Sequence, residues 1–127
     1  MIQNGSYLNV IDNSGAKIAY CIKVVSGYRS RYAFIGNIIV ISIKSLRSKR
    51  RSSSKTKKGE IYKAVIVRTK TNQKNVFGDN INFFENSVVL LNKQYKFIGT
   101  RVFGSVPKSL RYTKYLKLAS LSSGLVS

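Results

Sequence analysis

Gly59 to Lys70 is a hydrophobic stretch edged by cations, whose side chains fall on two faces with a period of two. Within it Ile61, Lys63, Val65 and Val67 alternate with Tyr62, Ala64, Ile66 and Arg68. A period of two with β-branched enrichment predicts a strand and not a helix. Both faces are apolar through its middle, which predicts a central strand covered on each side. Lys63 and Arg68 mark where the strand leaves cover. Further strands are predicted at Tyr7 to Asp12, Ala16 to Val25, Ile38 to Leu46, Ile81 to Phe84 and Val88 to Leu91. On the second of these, Ile18, Tyr20, Ile22 and Val24 share one face, and Lys17, Ala19, Cys21 and Lys23 the other. One side is core and the other carries cations. Ile39, Ile41 and Ile43 make a core face on the third, and Tyr20 and Tyr62 are expected to point inward.

Turn signals separate these segments. In Asp12-Asn13-Ser14-Gly15 the Asx and Ser side chains bond their own backbone, and glycine accepts positive φ. Thr71 to Gly78 reads as the tip of a projecting hairpin. Counting the longer strands alone gives five, and a small closed barrel fits that count because closure removes exposed edges. The pattern changes after Gly99. The one proline, Pro107, is placed to open a short helix at its first turn, with Leu110 toward the barrel and Lys108, Arg111 and Lys114 outside. Tyr115, Leu116, Leu118 and Leu121 form an apolar tail too rich to be left in water. It packs on the barrel or meets another protein. The predicted class is mostly β: a small five-stranded β-barrel with a projecting β-ribbon and a short helical C-terminal segment. All of this is one domain over 1–127, with a basic loop at 44–58, the ribbon at about 68–80 and the C-terminal segment at 99–127.

Charge narrows the function. Among 127 residues Lys and Arg number 23 against 4 acids, a net charge of +19. Such one-sign charge repels itself in a compact protein, so a polyanionic partner is expected, and nucleic acid is the commonest. The sequence holds no histidine, so the commonest general base and metal ligand is missing. The acids Asp12, Glu60, Asp79 and Glu85 stand apart from one another, and no glycine-rich phosphate loop precedes a helix. No catalysis, metal or cofactor is therefore expected. Cys21 is alone, which rules out an intrachain disulfide, and reads as a small core residue. No apolar run reaches the roughly 18 residues of a membrane span, so no membrane partner is expected either.

The cations concentrate in loops. Lys44 to Lys58 has eight basic residues in fifteen and no acid: Lys44, Arg47, Lys49, Arg50, Arg51, Lys55, Lys57 and Lys58. Such a run suits a solvated loop, or an arm that orders on a phosphate backbone. Charge alone does not specify a base sequence. In Gly27 to Tyr32, Arg29 and Arg31 lie between Tyr28 and Tyr32. Guanidinium groups bind phosphate and stack on bases, while tyrosines offer stacking faces or pack on the barrel end. Lys74 lies near the ribbon tip, and Lys114 in the basic stretch after Pro107.

Five segments, VIDNSGAKIAYCIKV (Val10 to Val24), RYAFIGNIIVISIK (Arg31 to Lys44), KKGEIYKAVIVRTK (Lys57 to Lys70), FFENSVVLLN (Phe83 to Asn92) and GTRVFGSVPKSLR (Gly99 to Arg111), resemble in order the universal large-subunit ribosomal protein L-fourteen family. The resemblance covers essentially the whole chain. It implies a structural role: binding large-subunit ribosomal RNA and contributing to a bridge with small-subunit RNA. Neighbours would be proteins of the L-three and L-nineteen type, and a ribosome-silencing factor is a further partner. Lys17, Lys23, Arg31, Lys44, Lys57, Lys58, Arg68, Lys70, Arg101 and Arg111 match the family's RNA-contacting positions. Ile, Lys and Asn outnumber Ala and Pro, as in an AT-rich coding sequence, and with no presequence visible this points to a mitochondrial ribosome, with plastid or bacterial cytoplasm as alternatives. Two other readings stay open: a free single-strand-binding barrel using Tyr28 and Tyr32, and a protein scaffold using the Tyr115 to Leu121 tail.

Overall fold

The computed structural model of the chain describes residues 2–25, 27, 30–47, 54–71, 73–74, 80–107, 110 and 116–126. The strands are β1 (Tyr7–Val10), β2 (Ala16–Val24), β3 (Ile38–Leu46), β4 (Ile61–Arg68), β5 (Gln73–Lys74), β6 (Asn80–Ile81), β7 (Ser87–Leu91) and β8 (Val102–Pro107). A helix, α1 (Leu116–Leu121), leads into β9 (Ser122–Val126). Five strands close a barrel in the order β1-β2-β3-β4-β7. Every pair is antiparallel except the closing one, where Asn9 and Val10 run parallel to Ser87 and Val88. Closure leaves no barrel edge unpaired.

The interior is filled by alternate residues of each strand. Leu8 and Val10, Ile39, Ile41 and Ile43, Ala64 and Ile66, and Val88 and Leu90 all lie there, buried. The β2 contribution differs from the simple alternation expected. Ala19 and Cys21 are buried, Ile22 is 40% exposed, and Val24 is buried again. Register shifts at Ile18/Ala19 and Cys21/Lys23 change which parity faces inward, because a bulge sets two residues against one. The interior of so narrow a barrel has room for alanine and cysteine there, and Tyr20 stands outside. Tyr62 is half-buried and packs against the interior cluster.

The opposite face of β4 and β7 explains why β4 is apolar on both sides. Val65, Val67, Val89 and Leu91 are covered by Ile11, Val102, Val106, Leu110 and Leu118. Burial of a leucine such as Leu110 or Leu118 is worth about 1.5–3 kcal/mol, so the C-terminal segment is fastened to the barrel. Pro107 ends β8, opposite Val126 of β9; lacking an N–H, it is tolerated at a strand end. The helix expected to open at Pro107 falls on residues that lie mostly outside the described ones, with Leu110 in a 3₁₀ turn. A further short helix lies at α1. The strand expected over Ile81 to Phe84 is reduced to β6, which pairs with β5 as the base of the ribbon, and Phe84 is fully exposed. Of the ribbon tip expected over Thr71 to Gly78, residues 72 and 75–78 lie outside the described residues.

Candidate nucleic-acid interface

The turn between β1 and β2 positions much of the cationic surface. Asp12 is fully buried, and its Oδ1 accepts from Ser14 N at 3.2 Å and Ser14 Oγ at 2.5 Å. Its Oδ2 accepts from Leu90 N at 3.1 Å, supplying an acceptor just beyond the point where the β1–β7 ladder ends. Burial pushes the Asp12 carboxyl above its ordinary value, and the bonds from Ser14 and Leu90, with the Arg47 charge, act against that rise. Asn13 Oδ1 accepts from Thr100 N at 2.8 Å and Arg101 N at 3.3 Å, and Asn13 Nδ2 donates to Thr100 Oγ1 at 2.9 Å. The turn thus fixes the entry to β8.

The same turn pins both ends of the basic loop. Arg47 N donates to Gly15 O at 2.9 Å, and Lys55 N donates to Ser14 O at 3.0 Å. Ser54 Oγ donates to Thr56 O at 2.8 Å and closes the returning end. Lys49, Arg50 and Arg51, between these anchors, lie outside the described residues, as do Arg29, Arg111 and Lys114.

Beside the turn lies a groove of about 370 Å³ lined by Asn9, Val10, Ile11, Lys17, Arg47, Arg68, Glu85, Phe103 and Gly104. Arg47 donates from Nη2 to Val10 O at 3.1 Å, and its buried Nε has no hydrogen-bond partner among the described residues. The Arg47 and Arg101 guanidinium carbons each sit 5.6 Å from the Phe103 ring centroid, so the ring is flanked by two cations. Lys17 is exposed on this side. Arg68 differs from the others. It donates to Ser105 O at 2.8 Å, to Glu85 Oε1 at 2.8 Å and to Phe103 O, and its side chain is 12% exposed. Its donors are committed inside the protein.

The remaining described cations are spread around the barrel. Lys23 is exposed at a β2 bulge, and Arg31 is exposed before Ala33, which pairs with Ile2. Lys57 and Lys58 are exposed in the turn before β4. Lys70 is exposed and its N donates to Asn86 Oδ1 at 2.9 Å; Lys74 belongs to β5. Lys44 lies on the outer face of β3 with its Nζ 5.2 Å from the Tyr20 ring centroid. The structure therefore gathers Lys17, Arg47 and Arg68 at one groove, with Arg101 beside its Phe103, and leaves the other described cations distributed. Sequence reasoning counted Lys55 in the basic loop without its reach to Ile98 O, 3.4 Å from Nζ, and missed the outward pair Tyr7 and Tyr20. Centring the first turn between Asn13 and Ser14 sets Tyr7 opposite Tyr20, so that signal was present.

A closed β-barrel with pinned basic loops, a cation-lined groove and no group of three His, Cys, Asp or Glu among the described residues to hold a metal is the architecture of a polyanion-binding scaffold. Comparison with known proteins makes the class specific: the chain belongs to the ribosomal protein L14p/L23e family, whose profile matches residues 1–126. It is 46% identical to the large ribosomal subunit protein uL14 of Carsonella ruddii (strain PV) over 126 residues, which is 99% of this chain and all of that protein. The chain is thus a structural constituent of the large ribosomal subunit and not an enzyme. Membership in the family carries with it contact with large-subunit ribosomal RNA and with other ribosomal proteins.

Proposed function

We propose that the chain holds large-subunit ribosomal RNA by phosphate contacts spread over its basic loops and the groove beside Phe103. The observation that carries this reading is the anchoring of Arg47 and Lys55 to one buried turn, which presents the basic loop from a fixed base. The contacting set is Lys17, Lys23, Arg29, Arg31, Lys44, Arg47, Lys49, Arg50, Arg51, Lys57, Lys58, Lys70, Lys74, Arg101, Arg111 and Lys114. Arg68 serves that surface indirectly, by holding β8 in place. Proteins of the L-three and L-nineteen type are the proposed neighbours, with small-subunit RNA at a bridge and a ribosome-silencing factor as further partners. The family resemblance supports these, and the fastened C-terminal segment offers a rigid surface for them.

The AT-type composition alone suggests a mitochondrial ribosome. End-to-end identity with a bacterial uL14 supports the bacterial cytoplasm instead. Sedimentation of a native lysate at moderate and high salt tests the ribosomal role. The chain is expected in the large-subunit peak at both salts; recovery in light fractions at both would sink it. Sensitivity of that peak to purification of organelles from cytosol assigns the compartment.

A further inference from the structure

Tyr7 is 64% exposed on the outer face of β1, and its ring meets Tyr20 edge-to-face at 5.3 Å between centroids and 67° between planes. The pair is built by register, since Tyr7 and Tyr20 are directly opposed across β1 and β2. On β3 the residue opposite Tyr20 is Ser42, and Lys44, next along that face, places its Nζ 5.2 Å from the Tyr20 centroid. A T-shaped contact occupies at most one face of either ring, so Tyr7 keeps a ring face open to solvent. Tyr20 and the strand pairing hold that ring in place, which lowers the ordering cost of stacking on it.

From this geometry we propose that the outer face of β1–β3 binds an unpaired nucleotide of RNA, its base stacked on Tyr7 and its phosphate beside Lys44. Charge selects RNA over a protein segment as occupant. Each described acid is already engaged: Asp12 is buried, Glu60 bonds Tyr62, and Glu85 bonds Arg68 and Asn9. Among the described residues the face therefore presents a cation and no free carboxylate, on a chain whose net charge is +19. It is also continuous with the basic groove, because Asn9, two residues from Tyr7 on the same face of β1, lines that groove. A strand leaving the groove along β1 meets the tyrosine pair next. Stacking on an aromatic ring tolerates any base and requires it to be unstacked from its neighbours, so the site discriminates unpaired from paired RNA.

The inference rests on the RNA-binding role proposed above, and the test separates the two. Affinities of the full chain for a short oligoadenylate and for a blunt RNA duplex of the same length are measured across a salt series. Tyr7→Leu is expected to weaken oligoadenylate binding about tenfold, leave its salt slope unchanged and leave duplex binding unaffected. Tyr7→Phe keeps a stacking ring and is expected to restore affinity. Lys44→Gln is expected to flatten the oligoadenylate slope by about 0.7. Unchanged oligoadenylate affinity in Tyr7→Leu, or equal losses on both RNAs, overturns the stacking site while the general RNA role stands. Unchanged RNA affinity with loss of a protein from the purified subunit assigns the face to that protein and also overturns the site. A wild-type chain that binds neither RNA overturns the general role and the site together.

Discussion

Arg68 Nη1 donates to Glu85 Oε1 at 2.8 Å while its Nε donates to Ser105 O at 2.8 Å, so one side chain ties β4 to the turn before β7 and to β8. Its third bond, to Phe103 O, brings the guanidinium against Gly104, whose φ of 79° is in the left-handed region. A Cβ on Gly104 would lie 3.0 Å from Arg68 Cζ. The glycine and the arginine are thus one device: the backbone bends away and the guanidinium fills the space.

Arg68→Ala takes the side-chain donor from the Phe103 and Ser105 carbonyls and the ion-pair partner from Glu85, which keeps its bonds from Asn9 and Ser87. Hydrogen bonds to charged groups are worth about 1.5–3 kcal/mol each and are not additive, so a loss of about 2–4 kcal/mol in unfolding free energy is expected by urea denaturation. Because the donors face inward, the salt slope of RNA binding is expected to stay at the wild-type value. A flatter slope with unchanged stability would make Arg68 a phosphate contact instead.

That division between structural and interfacial cations is the part the sequence hides. The β3 limits and its Ile39, Ile41, Ile43 face are readable because branched residues alternate there without interruption, and β4 is readable as central because both of its faces are apolar. On β2 register shifts before Ala19 set Ala19 and Cys21 inward and Tyr20 outward, another after Cys21 returns Val24 to the interior, and no local pattern marks such a shift. Pro107 carries a helix-start signal and also closes β8, and no local pattern marks the parallel pairing of β8 with β9. Arg68 looks like any strand-end cation until the chain returns Glu85 and Ser105 to it. Loop cations such as Lys57 and Lys58 are legible as exposed because nothing apolar alternates with them.

Asp12 makes stability depend on pH in an unusual direction. Burial raises its carboxyl above 3.8 in the folded state. The folded chain then holds the proton more tightly than the unfolded one, so this contribution is present below pH 3.8 and is lost as pH rises through the raised value. Asp12→Asn removes the titration but turns an N–H toward one of the donors from Ser14 or Leu90. It is expected to cost about 1–3 kcal/mol at neutral pH and less of a difference at higher pH than at lower. Melting temperatures of both chains between acid and neutral pH measure this.

Tyr62 makes the corresponding alkaline prediction. Burial, then the hydrogen bond to Glu60 and the Glu60 charge, push its phenol from 10.0 up to about 12. A raised phenol contributes stability that is whole below pH 10 and is lost as pH rises toward 12. Ultraviolet titration of phenolate formation is expected to show a late component that is absent from Tyr62→Phe. A late component that persists in that variant would assign it to another ring.

Gly15 tests how the basic loop is anchored. Its φ is 102°, and an added Cβ would lie 2.3 Å from Ser54 Oγ and 2.8 Å from Ser54 Cβ. Gly15→Ala therefore carries two penalties: left-handed backbone for an L-residue, about 1–2 kcal/mol, and collision with the returning end of the loop. The two separate in a double-mutant cycle. Ser54→Gly removes both colliding atoms and leaves Ser54 Cα at 3.1 Å, so in that background Gly15→Ala is expected to cost the backbone share alone. Full additivity of the two substitutions would mean that Ser54 does not press on the turn, and the loop base would then be held by the Arg47 and Lys55 backbone bonds without it.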